Sequence, residues 1–141
     1  DVIISNHVIE HLSNQQKHID EMYRVLKTQG VIYLATPNKY RLIEPHYNLP
    51  LLSWFPPQIA NQYLLLYMNN KWDISPLSNK EIKNRLNRFK VEDQVQKIIS
   101  HPDKYLKGEY KFLKTILKLP IINNSKLIHW FTPTLIFILK K

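Results

Sequence analysis

Val2, Ile3 and Ile4 follow one another without alternation between Asp1 and Ser5. A continuous apolar run of this kind predicts a short strand buried on both faces. Ser13-Asn14-Gln15-Gln16 fits a capping box, in which a Ser hydroxyl and a Gln side chain satisfy free N–H groups at a helix start. Ile19, Met22, Tyr23 and Leu26 then recur at i, i+3, i+4 and i+7, giving that helix one apolar stripe. Its other face carries Lys17, Asp20, Arg24 and Lys27, and Gly30 is expected to end it as a left-handed cap. Residues 31–35 form a second apolar run, closed by Thr36-Pro37. Strand, helix and strand at these lengths predict a parallel pair joined by a right-handed crossover.

Beyond this unit the pattern loosens. Residues 38–55 are interrupted by Asn38, Pro45, Tyr47, Pro50 and Trp54 and read as a long functional loop or lid. A helix is expected after Pro56-Pro57, carrying Ile59, Ala60, Tyr63, Leu64 and Tyr67. Ser78-Asn79-Lys80-Glu81 is a second capping box, opening a short helix whose Ile82, Leu86 and Phe89 face inward. Residues 89–99 have a weak strand pattern, and residues 135–139 a clearer one. Between them, Lys107, Lys111, Lys114 and Lys118 fall on one narrow helical stripe, with Tyr110, Phe112, Leu113, Ile116 and Leu117 broadly opposite. The chain thus divides into a strand-helix-strand unit (1–38), a lid and acceptor region (39–77), and C-terminal strands with a basic helical insertion (78–141).

Composition narrows the function classes. With 141 residues, 44% hydrophobic and 22% charged, the chain can build a real core and is not disordered. The absence of cysteine excludes thiolate catalysis, disulfides and Cys-based zinc sites, and fits a reducing cytoplasm. A net charge of +9 favours anionic partners, although a Lys-rich surface alone would give the same number. No signal peptide is recognisable. The apolar segment 127–139 is shorter than the roughly 17–25 residues that span a bilayer.

In an open parallel α/β sheet, ligands bind beyond the carboxyl ends of the strands. Those ends are Ser5-Asn6-His7 and Thr36-Pro37-Asn38. Just after the first, His7, Glu10 and His11 sit at i, i+3 and i+4, on one helical face.

Three segments now carry a specific likeness: Asp1-Val-Ile-Ile-Ser-Asn-His-Val-Ile-Glu-His-Leu12, the helix with Met22-Tyr-Arg-Val-Leu-Lys27, and Gly30-Val-Ile-Tyr-Leu-Ala-Thr-Pro-Asn38. They resemble the fourth strand, the following helix and the fifth strand of class I S-adenosylmethionine (SAM)-dependent methyltransferases. The nearest branches are those of quinone biosynthesis and of cell-surface glycan or lipid pathways. Thr28-Gln29-Gly30 departs slightly from the family's Gly pair, and residues 132–140 weakly resemble its antiparallel terminal strand.

The resemblance implies a Rossmann-like α/β fold, with SAM as methyl donor and Ser5, Asn6 and His7 as cofactor contacts. The family's Gly-rich turn has no counterpart, since the two glycines, Gly30 and Gly108, lie outside any G-x-G. The chain therefore reads as the C-terminal part of such a domain, and by itself is expected to bind SAM poorly.

Other roles follow with alternatives beside them. Some quinone methyltransferases hold a divalent metal with Glu-x-x-Glu-His, which His7, Glu10 and His11 resemble; local pairing of Glu10 and packing of His11 is the reading preferred over a metal. His46 is the general-base candidate, because imidazole titrates near neutral pH; simple surface exposure would also explain it. Tyr40, Arg41, Tyr47 and Trp54 could line an acceptor pocket or merely pack the lid. Lys107, Lys111, Lys114 and Lys118, with Trp130 and Phe131, could dock on an anionic membrane or form a solvated helix face. The expected function is methyl transfer to a small or lipid-linked acceptor, in the cytoplasm or at the membrane periphery. The competing readings are a non-catalytic basic module binding membranes or RNA, and an inactive remnant. RNA is the weaker partner, since lysines and aromatics do not interleave on a sheet face.

Overall fold

The computed structural model describes residues 1–101, 104 and 132–141. Four strands form one sheet: β1 (Val2–Asn6), β2 (Val31–Pro37), β3 (Lys90–Asp93) and β4 (Thr134–Lys140), in the order β1-β2-β4-β3. β1 and β2 run parallel, with Val2 opposite Val31 and Asn6 opposite Ala35. β4 lies between β2 and β3 and is antiparallel to both. The parallel pair agrees with the sequence pattern, and the antiparallel terminal strand with what the resemblance implies, which makes this a mixed α/β fold.

Helix α1 (Gln15–Val25) is the crossover between β1 and β2. Its Ile19, Met22 and Leu26 are buried with Ile32 and Leu34 of β2 and with Leu135, Phe137 and Leu139 of β4. Helix α3 (Asn79–Arg85) joins the same face through Ile82, and Leu86 just beyond it is buried there too. The Ser78 capping box forms as expected, with Ser78 Oγ accepting from the Glu81 amide and Glu81 Oε2 accepting from the Ser78 amide at 2.8 Å. Helix α2 (Pro57–Met68) lies apart, in a smaller cluster of Leu52, Ala60 and Leu64.

Four local expectations are corrected. Among the described residues β1 is at the edge of the sheet and is not buried on both faces: Val2 is 65% and Ile4 72% exposed. Asn14, not Ser13, caps α1, because its side chain reaches the Lys17 amide at 2.9 Å. Gly30 is not a left-handed cap, since α1 closes four residues earlier at Leu26 in an extended conformation. What Gly30 provides is space: a Cβ there would lie 2.7 Å from Leu26 Cδ1 and 3.1 Å from the Asp1 carbonyl. Residues 89–99 are not one strand, because Asp93 ends β3 and caps helix α4 (Gln94–Ser100) by accepting from the Gln96 amide at 3.0 Å. Helix α2 forms where expected after Pro56-Pro57 and carries all five named residues, of which Ala60 and Leu64 are buried while Ile59 and Tyr67 are 49% and 70% exposed. The Lys107–Lys118 stripe, with Trp130 and Phe131, lies outside the described residues. Among the described residues no helix is long and apolar enough to cross a membrane.

Candidate functional site

Both parallel strands deliver their carboxyl ends to one edge of the sheet. At the tip of β1, His7 adopts φ 53°, a left-handed backbone that a non-glycine residue rarely takes. Its amide donates to the Ala35 carbonyl at 2.9 Å, which ties the turn to β2. Such a residue is held there by its surroundings, and strain of this kind gathers at functional turns. The bend lets a 3-10 turn, Ile9–His11, fold back over the sheet. Ile9 enters the core, and Glu10 is carried in beside it, 1% exposed.

Glu10 Oε2 accepts from Thr36 Oγ1 of β2 at 3.1 Å. Oε1 is equally buried and has no hydrogen-bond partner among the described residues. His7 Nδ1 stands 3.6 Å from it, too far for a hydrogen bond. A buried carboxylate oxygen without a donor costs free energy unless something cationic or protic faces it.

From the other side comes the loop after β2, expected from its sequence to be a lid and called the lid hereafter. Glu44 is 1% exposed and organises the turn around it. Its Oε2 accepts from the amides of His46 at 2.7 Å and Tyr47 at 2.8 Å, and its Oε1 from His46 Nδ1 at 2.7 Å. The carboxylate therefore fixes both the loop and the imidazole orientation, leaving Nε2 as the ring nitrogen free of that bond. His46 meets His11 edge-on, with ring centroids 5.1 Å apart. One donor atom each from Glu10, His11 and His46 lies within 4.8 Å of the others.

Sequence reasoning thus named the members of this cluster without grouping them this way. It joined His7 to Glu10 and His11, whereas the third member of the cluster is His46. It missed Glu44, although a signal was present: from Leu42 to Asn70, Glu44 is the only Asp, Glu, Lys or Arg. A lone acidic residue in such a stretch needs a partner or a task.

The other expected residues separate. Asn6 and His7 are open at the tip of β1, whereas Ser5 is buried, its Oγ 3.2 Å from His18 Nε2 of α1. Burial pushes the His18 imidazole below its ordinary value. Tyr40 packs edge-on against Trp54, with centroids 5.6 Å apart, and Trp54 Nε1 donates to the Arg41 carbonyl at 2.9 Å. Tyr47 donates to Asp73 at 2.8 Å; burial first, then this bond to a carboxylate, pushes its phenol up to about 12. These four residues brace the lid, and none lines the nearby groove of about 390 Å³. That groove lies between the start of α1, Lys39 after β2, and α3, and Ser53, Phe55 and Trp72 form its wall with Arg85 and Glu81. Its size suits a small ligand.

A protein-family model described as a methyltransferase domain matches residues 1–34, which span β1, the 3-10 turn, α1 and the first part of β2. The match supports a methyltransferase domain and covers the turn that carries Glu10 and His11. No curated protein matches the chain.

Proposed function

We propose that this protein takes part in SAM-dependent methyl transfer to a small or lipid-linked acceptor, with the reaction centred beyond the carboxyl ends of β1 and β2. One observation carries the reading: the family match falls on the parallel strand pair, and the tips of that pair converge with an oriented histidine from the lid. SAM supplies a methyl group on a sulfonium, an electrophile that needs a correctly aimed nucleophile. Asn6 and His7, both exposed at the tip of β1, are the residues that would touch it.

His46 is the residue that would take the proton from an acceptor hydroxyl. Glu44 holds its Nδ1–H, so the Nε2 lone pair is the one available. Deprotonation leaves the acceptor oxygen free to form its bond to the methyl carbon as the carbon–sulfur bond breaks and its electron pair stays on sulfur. Aligning the three atoms supplies a large part of the rate gain, so the lid's rigidity matters as much as the base.

The acceptor class is favoured by the lid's outer surface. No Asp, Glu, Lys or Arg occurs between Pro45 and Asn70. Leu51, Phe55, Ile59 and Leu66 line an apolar groove of about 420 Å³, and Leu66 is 83% exposed. Such a surface suits a hydrocarbon tail. The experiment is to incubate protein expressed from its complete gene with methyl-tritiated SAM and hydroxyl acceptors, with and without lipid tails. Label in the tailed acceptor, reduced about 10²–10⁴-fold by His46→Ala, is the expected result; no label in any acceptor overturns the reading.

A further inference from the structure

We infer that Glu10, His11 and His46 form a binding site for a divalent transition-metal ion of the zinc class. The inference goes beyond methyl transfer and stands on the donor geometry alone.

Four observations carry it. The three side chains present donor atoms within 4.8 Å of one another. Donors at about 2.0–2.2 Å from one tetrahedral ion lie roughly 3.4 Å apart, so the cluster has to contract by up to about 1.5 Å on binding. The contraction falls on the exposed His11 ring and on the surface loop that carries His46, while the Glu10 carboxylate is fixed by burial. Glu10 Oε1 is buried and has no hydrogen-bond donor among the described residues, which is the condition a bound cation would relieve. Its other oxygen is held by Thr36, so the carboxylate plane is already oriented.

The fourth observation is the hydrogen-bond partner of a donor. Histidines that bind metals usually give their second N–H to a carboxylate or carbonyl, which sets the tautomer and raises the basicity of the ligating nitrogen. Glu44 makes that bond to His46 Nδ1 at 2.7 Å from a buried position. Two imidazoles and one carboxylate are the donor set of hydrolytic zinc sites that keep a fourth position open. The hard, all-oxygen shells that magnesium and calcium prefer are not available here. Nor does a thiolate compete, because the chain has no cysteine.

The site joins two parts of the chain, since Glu10 and His11 follow β1 and His46 belongs to the lid. An ion bound here would therefore staple the lid to the strand tips. It would also occupy His46 Nε2, so metal-loaded and metal-free protein would differ in how an acceptor hydroxyl loses its proton.

The test is titration of metal-stripped protein with Zn²⁺ by calorimetry and with Co²⁺ by visible absorption. We expect one ion per chain, with the intense ligand-field bands of low-coordinate cobalt. His11→Ala and His46→Ala, both at accessible positions and checked for native circular dichroism, should abolish the bands. Glu44→Gln should weaken binding by about 10–100-fold while leaving the stoichiometry at one. His7→Ala should leave affinity within a few-fold. Absence of stoichiometric binding, or binding that depends on His7 and survives loss of His46, overturns the inference. Neither readout requires methyl transfer, so the failure of either proposal leaves the other standing.

Discussion

The strand-helix-strand unit and the lid are held together in different ways, and the contrast explains what each can do. Residues 1–37 are fixed by interleaved apolar side chains: Ile19, Met22 and Leu26 of α1 against Ile32 and Leu34 of β2. The lid has a smaller cluster of its own, Leu52, Ala60 and Leu64, with Tyr47, Leu49, Tyr63 and Trp72 packed against it. It is further held by the Tyr40–Trp54 contact and by local hydrogen bonds gathered by Glu44. A packed sheet sets where Glu10 and His11 stand. A loop held by a small cluster and local hydrogen bonds can bring His46 to them and still yield locally, without melting the core.

The largest effect expected from this contrast is Leu34→Ala. Leu34 is fully buried in the main core, and truncation should cost about 2–5 kcal/mol in urea unfolding. The matching change in the lid, Leu64→Ala, should chiefly accelerate amide exchange in residues 50–66. Equal losses of global stability from the two would show that the lid is part of the core.

Next comes Glu44→Ala. A carboxylate accepting charge-assisted bonds contributes about 1.5–3 kcal/mol for each, but here the loss should stay local. Exchange should quicken at the amides of His46 and Tyr47 while β1 and β2 keep their protection. Unchanged protection at those two amides would contradict the role given to Glu44.

Smaller again is the loss of the α3 cap. Ser78→Ala should cost about 1 kcal/mol. Burial raises the Glu81 carboxyl, but the Ser78 bonds and the charges of Lys39 and Arg85 outweigh it, so the net shift is downward. A depressed carboxylate stabilises the fold above its unfolded value and loses that contribution as pH falls through the folded one. Wild-type stability should therefore decline on acidification below the ordinary glutamate range, more steeply than in Glu81→Gln. Parallel pH profiles for the two would remove this assignment.

The smallest effect concerns Tyr47. With its phenol near 12, ionisation in the folded protein should be delayed well past the ordinary tyrosine range. The stabilising contribution is complete below about 10 and fades as pH rises through about 12. Asp73→Asn should bring the ultraviolet phenolate transition to lower pH; an unmoved transition would mean that the bond at 2.8 Å does not persist in solution.

The same contrast separates what could be read in the sequence from what could not. The α1 stripe and the two apolar runs are periodic, so the parallel pair and its crossover were legible, as was the Ser78-Glu81 cap. β1 was misjudged because a continuous apolar run does not reveal whether a neighbour covers both faces; Val2 and Ile4 are left open. Asn14 displaced Ser13 because both are good caps one residue apart, and geometry decides between them. Asp93 divided the run 89–99 because a capping side chain can start a helix where propensity is indifferent. At the site, His7, Glu10 and His11 were visible as one face by spacing. The partnership with His46 depends on a long-range approach from the lid that no local pattern encodes.

The account turns on that approach. Since the chain has no native cysteine, His11→Cys and His46→Cys can be combined and treated with a short bifunctional thiol reagent. Rapid cross-linking of the pair, with each single substitution inert, is the predicted result. No cross-link between positions 11 and 46, under conditions where cysteines at the paired positions Ile4 and Tyr33 do couple, would contradict it.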